Sequence, residues 1–322
     1  MVLCLKARKS RSLPGLINTF FDNLFLYSMK NILVVTGGAG FIGYNLINEL
    51  IKFKKYNIIS LDDYSSGYLE NHIKNTRVKY IRGHTKNILS ILGKYKNQIH
   101  TIFHFGEFSR IFQSFVKINK CFDSNVVGSS ELFNFALKNK IKIIYSATSA
   151  SLGNTGKDMN LSPYAFTKAK NLELLENLKK WFNFKYEIIY FYNVYGPRQI
   201  CKGDMATVVG IFEQHFKDGK SLPIVKPGSQ TRKFTYVKDT VQACIMAWKK
   251  NKNKHYSVAA DKSYSIIQLA RLFKAKIKFL PPRRGERFSS ALTRMNLNNK
   301  IIKIKAKSKL VDYIKKVVNY KR

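Results

Sequence analysis

From Ile32 onward the chain alternates short apolar runs with longer segments whose apolar residues recur at helical spacing. The runs Ile32–Thr36, Ile58–Leu61, Val78–Ile81, Ile99–His104, Ile141–Ser146 and Glu187–Phe191 predict strands bounded by turn residues. Phe41–Phe53, Val126–Asn139 and Tyr164–Phe182 predict helices between them. Strands separated by helices imply an α/β fold built on a doubly wound parallel (Rossmann) sheet. After Pro197 the alternation loosens into a mixed region, read as a smaller lobe closing over the carboxyl edge of the sheet, where such folds bind ligands. The expected division is residues 29–195 as the domain built on this sheet and 196–322 mainly as the smaller lobe, with some of its segments returning to the sheet.

Residues 1–28 stand outside this rhythm. They carry Lys6, Arg8, Lys9 and Arg11, then Leu13-Pro14-Gly15 and a mixed segment containing Asp22. They lack the unbroken apolar core and small-residue cleavage site of a secretory signal. A flexible extension or a misassigned start is the expectation, because Met29-Lys30-Asn31 leads straight into the first strand. A chain of 322 residues with 45% apolar content can bury a full core, and it has no apolar run long enough to span a bilayer. Cys4, Cys121, Cys201 and Cys244 are scattered without a CxxC or zinc-ligand spacing, so reduced thiols in a cytoplasmic protein are expected, with no metal.

The formal charge of +38 is the compositional departure. Basic surfaces attract phosphate polymers. Here the lysines are spread along the chain, with no arginine-rich arm and no nucleic-acid-binding motif. Abundant Lys, Asn, Ile, Tyr and Phe point instead to A/T-rich codons, so no nucleic-acid partner is expected. The positive field should still draw in an anionic ligand, an attraction that salt weakens.

Two motifs carry chemistry. Gly37-Gly38-Ala39-Gly40-Phe41-Ile42-Gly43 lies between a predicted strand and a predicted helix. Gly37, Gly40 and Gly43 there permit a tight turn, close approach of a pyrophosphate, and packing of the helix on the strand, whose N-terminus favours phosphate. Asp62 ends the second strand about 20 residues on, where a carboxylate accepts hydrogen bonds from ribose hydroxyls and repels a 2′-phosphate; NAD is expected as cofactor. About 120 positions after the glycine turn comes Tyr164-Ala165-Phe166-Thr167-Lys168. Four residues apart on a helix, Tyr164 and Lys168 share one face. The ammonium should favour the phenolate, as should oxidised nicotinamide, making Tyr164 an acid/base for an alcohol. Ser162-Pro163 supplies the cap and first turn.

With these motifs go Leu61–Gly67, Phe103–Gly106, Asn125-Val126-Val127-Gly128, Tyr145–Gly153, Phe191–Arg198 and Gln230–Val237. In this order they resemble the extended short-chain dehydrogenase/reductases acting on nucleotide-sugars, the NAD-dependent epimerase/dehydratase family that includes UDP-glucose 4-epimerase. The resemblance runs from about Lys30 to about residue 295. It implies that Phe41, Ile42, Phe105, Gly106, Asn125 and Phe191 join the glycines and Asp62 around NAD, and that Lys168 holds the nicotinamide ribose. It places Thr148 on the hydroxyl that bridges sugar O4 and the tyrosine, with Ser149 as the local rival. Asn193, Thr207, Arg232 and Arg283 become implied substrate contacts, the arginines gripping the diphosphate, with Arg284 and Arg287 as alternates. A homodimer through a four-helix interface of Val126–Asn139 and Tyr164–Phe182 is also implied.

Departures from the family pattern bear on substrate. His84 stands where relatives often use an aspartate for the adenine, Val225 replaces a frequent aromatic near the base, and Lys226-Pro227-Gly228 replaces Gly-Asp-Gly. The carrier stays open between UDP, GDP and another nucleotide. Ser289 or Ser290, near the sugar's 2-substituent, leaves room for an N-acetyl group. Dehydratases of the family follow the threonine with Asp-Glu, decarboxylating relatives with a glutamate at the second position, and epimerases acting beside the ketone with a nearby cysteine. This chain has Ser149 and Ala150, which cannot remove a carbon-bound proton effectively. The chemistry should stop at C4: oxidation to a 4-ketose and reduction from the opposite face, a 4-epimerase. A 4-dehydrogenase or 4-ketoreductase, for example on a GDP-heptose, is the alternative. Phe103-His104-Phe105-Gly106-Glu107-Phe108-Ser109-Arg110 differs from the commoner His-x-Ala-Ala form and is similar to a heptose-oxidising branch. A non-catalytic NAD-binding protein is the remaining reading.

Overall fold

The computed structural model describes residues 30–151, 160–284 and 301–320. The extension 1–28, Arg287, Ser289 and Ser290 lie outside the described residues.

Eight strands form one sheet: β1 (Ile32–Thr36), β2 (Asn57–Asp62), β3 (Val78–Arg82), β4 (Ile99–His104), β5 (Lys142–Thr148), β6 (Tyr186–Phe191), β7 (His255–Ala259) and β8 (Ile301–Lys305). Their order is β8-β7-β6-β5-β4-β1-β2-β3, and every pairing is parallel. Alternate residues of each strand enter opposite layers of core. Val34, Ile102, Ile143 and Ile188 pack with Leu132, Phe133 and Leu175 on one face. Leu33, Val35, Phe103, Ile144 and Ile189 pack with Leu46, Ile47, Val241 and Trp248 on the other. The α/β fold with a doubly wound parallel sheet is therefore as the sequence pattern predicts. β7 and β8, which come after Pro197 in the chain, complete one edge of it.

Two predicted helices differ from those observed. Helix α1 (Phe41–Leu50) stops three residues short of Phe53, because Lys52 and Phe53 bond back to Glu49 and Leu50 in tighter three-residue turns. The helix predicted over Val126–Asn139 is the end of a longer run: Ile118–Phe122, a π-helical turn Asp123–Gly128, then α2 (Ser129–Lys138). The wide turn breaks the 3.6-residue spacing that the apolar pattern is read by. Helix α3 (Pro163–Phe182) begins as expected: the Ala165 N–H donates to Ser162 Oγ at 3.1 Å, and Pro163 sits in the first turn.

The smaller lobe pairs Leu222–Val225 with Ile277–Leu280 and Thr231–Lys233 with Ser263–Ser265. Its own core gathers Phe212, Ile224, Phe234, Leu269, Phe273 and Ile314. A cleft of about 750 Å³ separates it from the carboxyl ends of the strands. No described helix is long and apolar enough to cross a membrane.

Candidate active site

Strand order reverses between β1 and β4, and the cleft opens there, where a doubly wound sheet offers a crevice for a ligand. Thr36 is in register with His104, so the turn after β1 meets the turn after β4. The contact is backbone to backbone. A Cβ on Gly37, whose φ is +69°, would lie 2.8 Å from the Phe105 carbonyl carbon and 2.9 Å from the Gly106 nitrogen. A Cβ on Gly43 would lie 2.1 Å from the Gly37 oxygen, so only glycine lets α1 start this close to the turn. No side chain caps α1 at Gly40, and Gly40, Phe41, Ile42 and Gly43 all line the cleft, leaving a helix N-terminus suited to phosphate. Asp62 ends β2 beside it, its carboxylate accepting from the N–H groups of Ala39 (2.9 Å) and Tyr64 (2.8 Å). Burial raises its pKa, while these bonds oppose the rise. A bare glycine cradle next to a fixed acceptor fits an adenosine diphosphate with free ribose hydroxyls. Phe105, Gly106 and Phe191 line the same cleft.

Asn125 does not. It is fully buried beneath the loop after β4, accepting from Phe108 N (2.7 Å) and donating to Phe108 O (3.1 Å) and Thr167 Oγ1 (3.1 Å). The π-helical turn places it there, so it braces the cleft wall rather than touching the cleft.

Tyr164 and Thr148 meet at the cleft floor, from the N-terminus of α3 and the end of β5. Tyr164 is 8% exposed. Burial pushes its pKa up to about 12; a hydrogen bond with Thr148 pulls down, Glu107 pushes up, and Arg110 pulls down. Lys168, one turn along α3, is buried with them. Its ammonium donates to Glu107 Oε2 and to the Ser146 carbonyl, and lies 4.4 Å from the centre of the Tyr145 ring. Burial lowers its pKa and Glu107 opposes. The expectation that the Lys168 ammonium favours the phenolate therefore needs a second residue, because the ammonium arrives already paired.

Glu107 is that residue, and the sequence pattern assigned it no role. Its Oε1 accepts from Ser129 Oγ (2.9 Å), Tyr145 OH (3.0 Å) and Asn171 Nδ2 (2.9 Å). The chain of bonds continues through Ser129 to His104 Nε2 (3.0 Å) and from His104 Nδ1 to Thr36 Oγ1 (2.8 Å). Thr36 Oγ1 already accepts from Phe105 N and Gly106 N, so its proton goes to Nδ1 and the His104 Nε2–H donates to Ser129. His104 is thus neutral, in line with a pKa that burial lowers to about 4. One polar network runs from the glycine turn to the lysine. The signal for it was an acid, in a chain with only 19, within a segment that departs from the commoner family form.

The implied substrate contacts ring the cleft mouth. Thr207 caps the helix Val208–Lys217, accepting from Gly210 N at 3.0 Å, and donates to Gln199 Oε1. Asn193, at φ +26°, donates to the Lys233 carbonyl. Arg232 lies on the strand Thr231–Lys233, and Arg283 and its alternate Arg284 lie over the rings of Phe112 and Phe115. All five line the cleft, as do His84 and Val225. Ser149 opens a short 3-10 turn and is not among the lining residues; Ala150 is buried. Arg110, which the sequence pattern did not single out, reaches the cleft with Nε donating to the Met205 carbonyl at 2.9 Å. Among the described residues, no cluster of three or more His, Cys, Asp or Glu could hold a metal ion.

Known proteins carry the same architecture. A provisionally named UDP-glucose 4-epimerase of Methanocaldococcus jannaschii is 29% identical over 274 residues, covering 79% of this chain and 87% of its own. UDP-glucuronic acid decarboxylase 6 of Arabidopsis thaliana is 26% identical over 282 residues, covering 82% and 79%. The crystal structure of Thermotoga maritima UDP-glucose 4-epimerase with UDP-glucose superposes with a TM-score of 0.80 at 26% identity, over 90% of this chain and 98% of that one. Relatives of different reaction type thus share the scaffold, and the NAD dependent epimerase/dehydratase family model matches residues 33–259. With the glycine turn, Asp62 and the Tyr164–Lys168 pair in place around one cleft, the chain is an enzyme of the NAD-dependent epimerase/dehydratase family.

Proposed function

We propose that this protein is a nucleotide-sugar 4-epimerase acting by transient oxidation at C4. The observation that carries the reading is the cleft floor itself: Tyr164 and Thr148 side by side, with Ser149 and buried Ala150 where C5 chemistry would need an acid. Among the described residues, the carboxylate next to the reacting groups is Glu107, 2% exposed and engaged by four donors, so it is no free base for a carbon-bound proton. NAD, when bound, supplies the acceptor and donor of the C4 hydride.

This chain's residues do the rest. The helix N-terminus at Gly40–Gly43 and the Asp62 carboxylate hold the coenzyme, and Lys168 has one remaining N–H for a ribose hydroxyl. Thr148 holds the sugar O4 against the Tyr164 oxygen. Tyr164 receives the O4 proton as C4 loses hydride, and returns it when hydride comes back to the other face of the 4-ketose. Arg232 and Arg283 anchor the diphosphate, so the hexose can turn while the carrier stays fixed. Two copies pair across the exposed apolar face where Phe122 stacks on Phe166, near Val126; native mass spectrometry reads the dimer mass directly.

The segment Phe103–Arg110 favours a second reading, net 4-dehydrogenation with release of keto-sugar and NADH. The test incubates the protein and NAD with UDP-glucose, UDP-galactose, UDP-N-acetylglucosamine and GDP-mannose. C4 epimers by NMR without net absorbance at 340 nm mark the epimerase. Accumulating NADH marks the dehydrogenase. An inert protein with every sugar removes both.

A further inference from the structure

We propose that Glu107 is a positioning residue that cancels the charge of Lys168 at the Tyr164 hydroxyl, so that ionisation of this phenol answers to the charge of the bound coenzyme. The inference rests on the reading of Tyr164 as the acid/base group.

The geometry makes the case. Lys168 spends two of its three donors on the Glu107 carboxylate and the Ser146 carbonyl, and both members of the ion pair are buried. A buried ammonium in contact with a buried carboxylate presents its surroundings with a dipole, whose field falls off faster than that of a lone charge. The carboxylate cannot swing away, because Ser129 Oγ, Tyr145 OH and Asn171 Nδ2 fix its other oxygen from three separate elements. Each of those partners is neutral, and so is His104 behind Ser129. Of the charged groups acting on Tyr164, Glu107 opposes ionisation, and Arg110, held by the Met205 carbonyl, favours it. Cys121, the other titratable neighbour, is kept a neutral thiol by burial. Without a coenzyme, burial and Glu107 keep the phenol protonated. The positive ring of oxidised nicotinamide is then the charge that can tip it, and loss of that charge on reduction restores the proton. The proton on Tyr164 thereby follows the hydride.

Tyrosinate absorbance near 295 nm, taken as the difference between the protein and its Tyr164→Phe variant, reads this residue alone. In the unaltered protein the Tyr164 midpoint should lie above pH 10 without coenzyme. It should fall by about one unit or more with NAD and stay put with NADH. In Glu107→Gln the coenzyme-free midpoint should fall by about one to two units, the scale of one uncompensated charge at an effective dielectric near 20. Glu107→Asp, which keeps the charge, should restore the unaltered value. A Glu107→Gln midpoint equal to that of the unaltered protein overturns the proposal. If Glu107→Gln does not fold, the unaltered protein decides: equal midpoints with NAD and NADH overturn it. Turnover by Tyr164→Phe would instead refute the assignment of Tyr164, so the two failures are distinguishable.

Discussion

The turn after β1 can be tested with a single methyl group. At Gly37 a Cβ would overlap three backbone atoms, at 2.8–2.9 Å, belonging to Phe105 and Gly106. Backbone cannot swing aside as a side chain can, so the overlap should cost about 1–3 kcal/mol. The φ of +69° adds about 1–2 kcal/mol for any residue with a Cβ. Gly37→Ala should therefore destabilise the fold by about 2–5 kcal/mol. Gly219 provides the control. Its φ of +70° is the same, but nothing lies within 4 Å of its ideal Cβ, so Gly219→Ala should show only the conformational part, about 1–2 kcal/mol. Denaturant titration of both variants isolates the steric difference. Calorimetric titration with NAD should show Gly37→Ala weakened about tenfold for each 1.4 kcal/mol by which the turn is displaced, and Gly219→Ala unchanged. If the two variants unfold together and bind NAD equally, the turn does not make the close approach described and the phosphate cradle is misplaced.

Other outcomes follow from the same structure. Tyr164→Phe keeps the ring and removes the oxygen: turnover should fall by about 10²–10⁴-fold or more, while NAD affinity by titration stays within about twofold. His104 is buried neutral with a pKa near 4, against 6.5 in the unfolded chain. Between those values the unfolded state binds the extra proton, so stability is full above pH 6.5 and declines as pH falls toward 4. The share from this residue is about 3 kcal/mol, and denaturation midpoints at pH 7 and 4.5 should differ less in His104→Gln.

Much of this molecule is legible without coordinates because strands of an α/β sheet are local signals. Ile32–Thr36 and Ile99–His104 are short runs dominated by β-branched and aromatic residues between turns, and they fold as read. Gly37, Asp62, Tyr164 and Lys168 are legible for another reason: their chemistry demands fixed residue types at fixed spacing. The Glu107–Lys168 pair has no such spacing. Its members are 61 positions apart and meet only because Asn125 and Ser129, on a π-helical turn and the helix after it, fix the loop after β4. Periodicity cannot register a π-helical turn, so the same feature hid both the helix start and the displaced Asn125. The return of His255–Ala259 and Ile301–Lys305 to the sheet is likewise a matter of tertiary pairing rather than local pattern.

The central claim is that bonds at C4 alone are broken and remade. A nucleotide-hexose carrying deuterium at C4 tests it in one measurement, with product examined by NMR in ordinary water. The account predicts a C4 epimer that keeps its deuterium at C4, with no hydrogen exchanged from solvent at C3 or C5. Loss of the C4 label, or exchange at a neighbouring carbon, would contradict it.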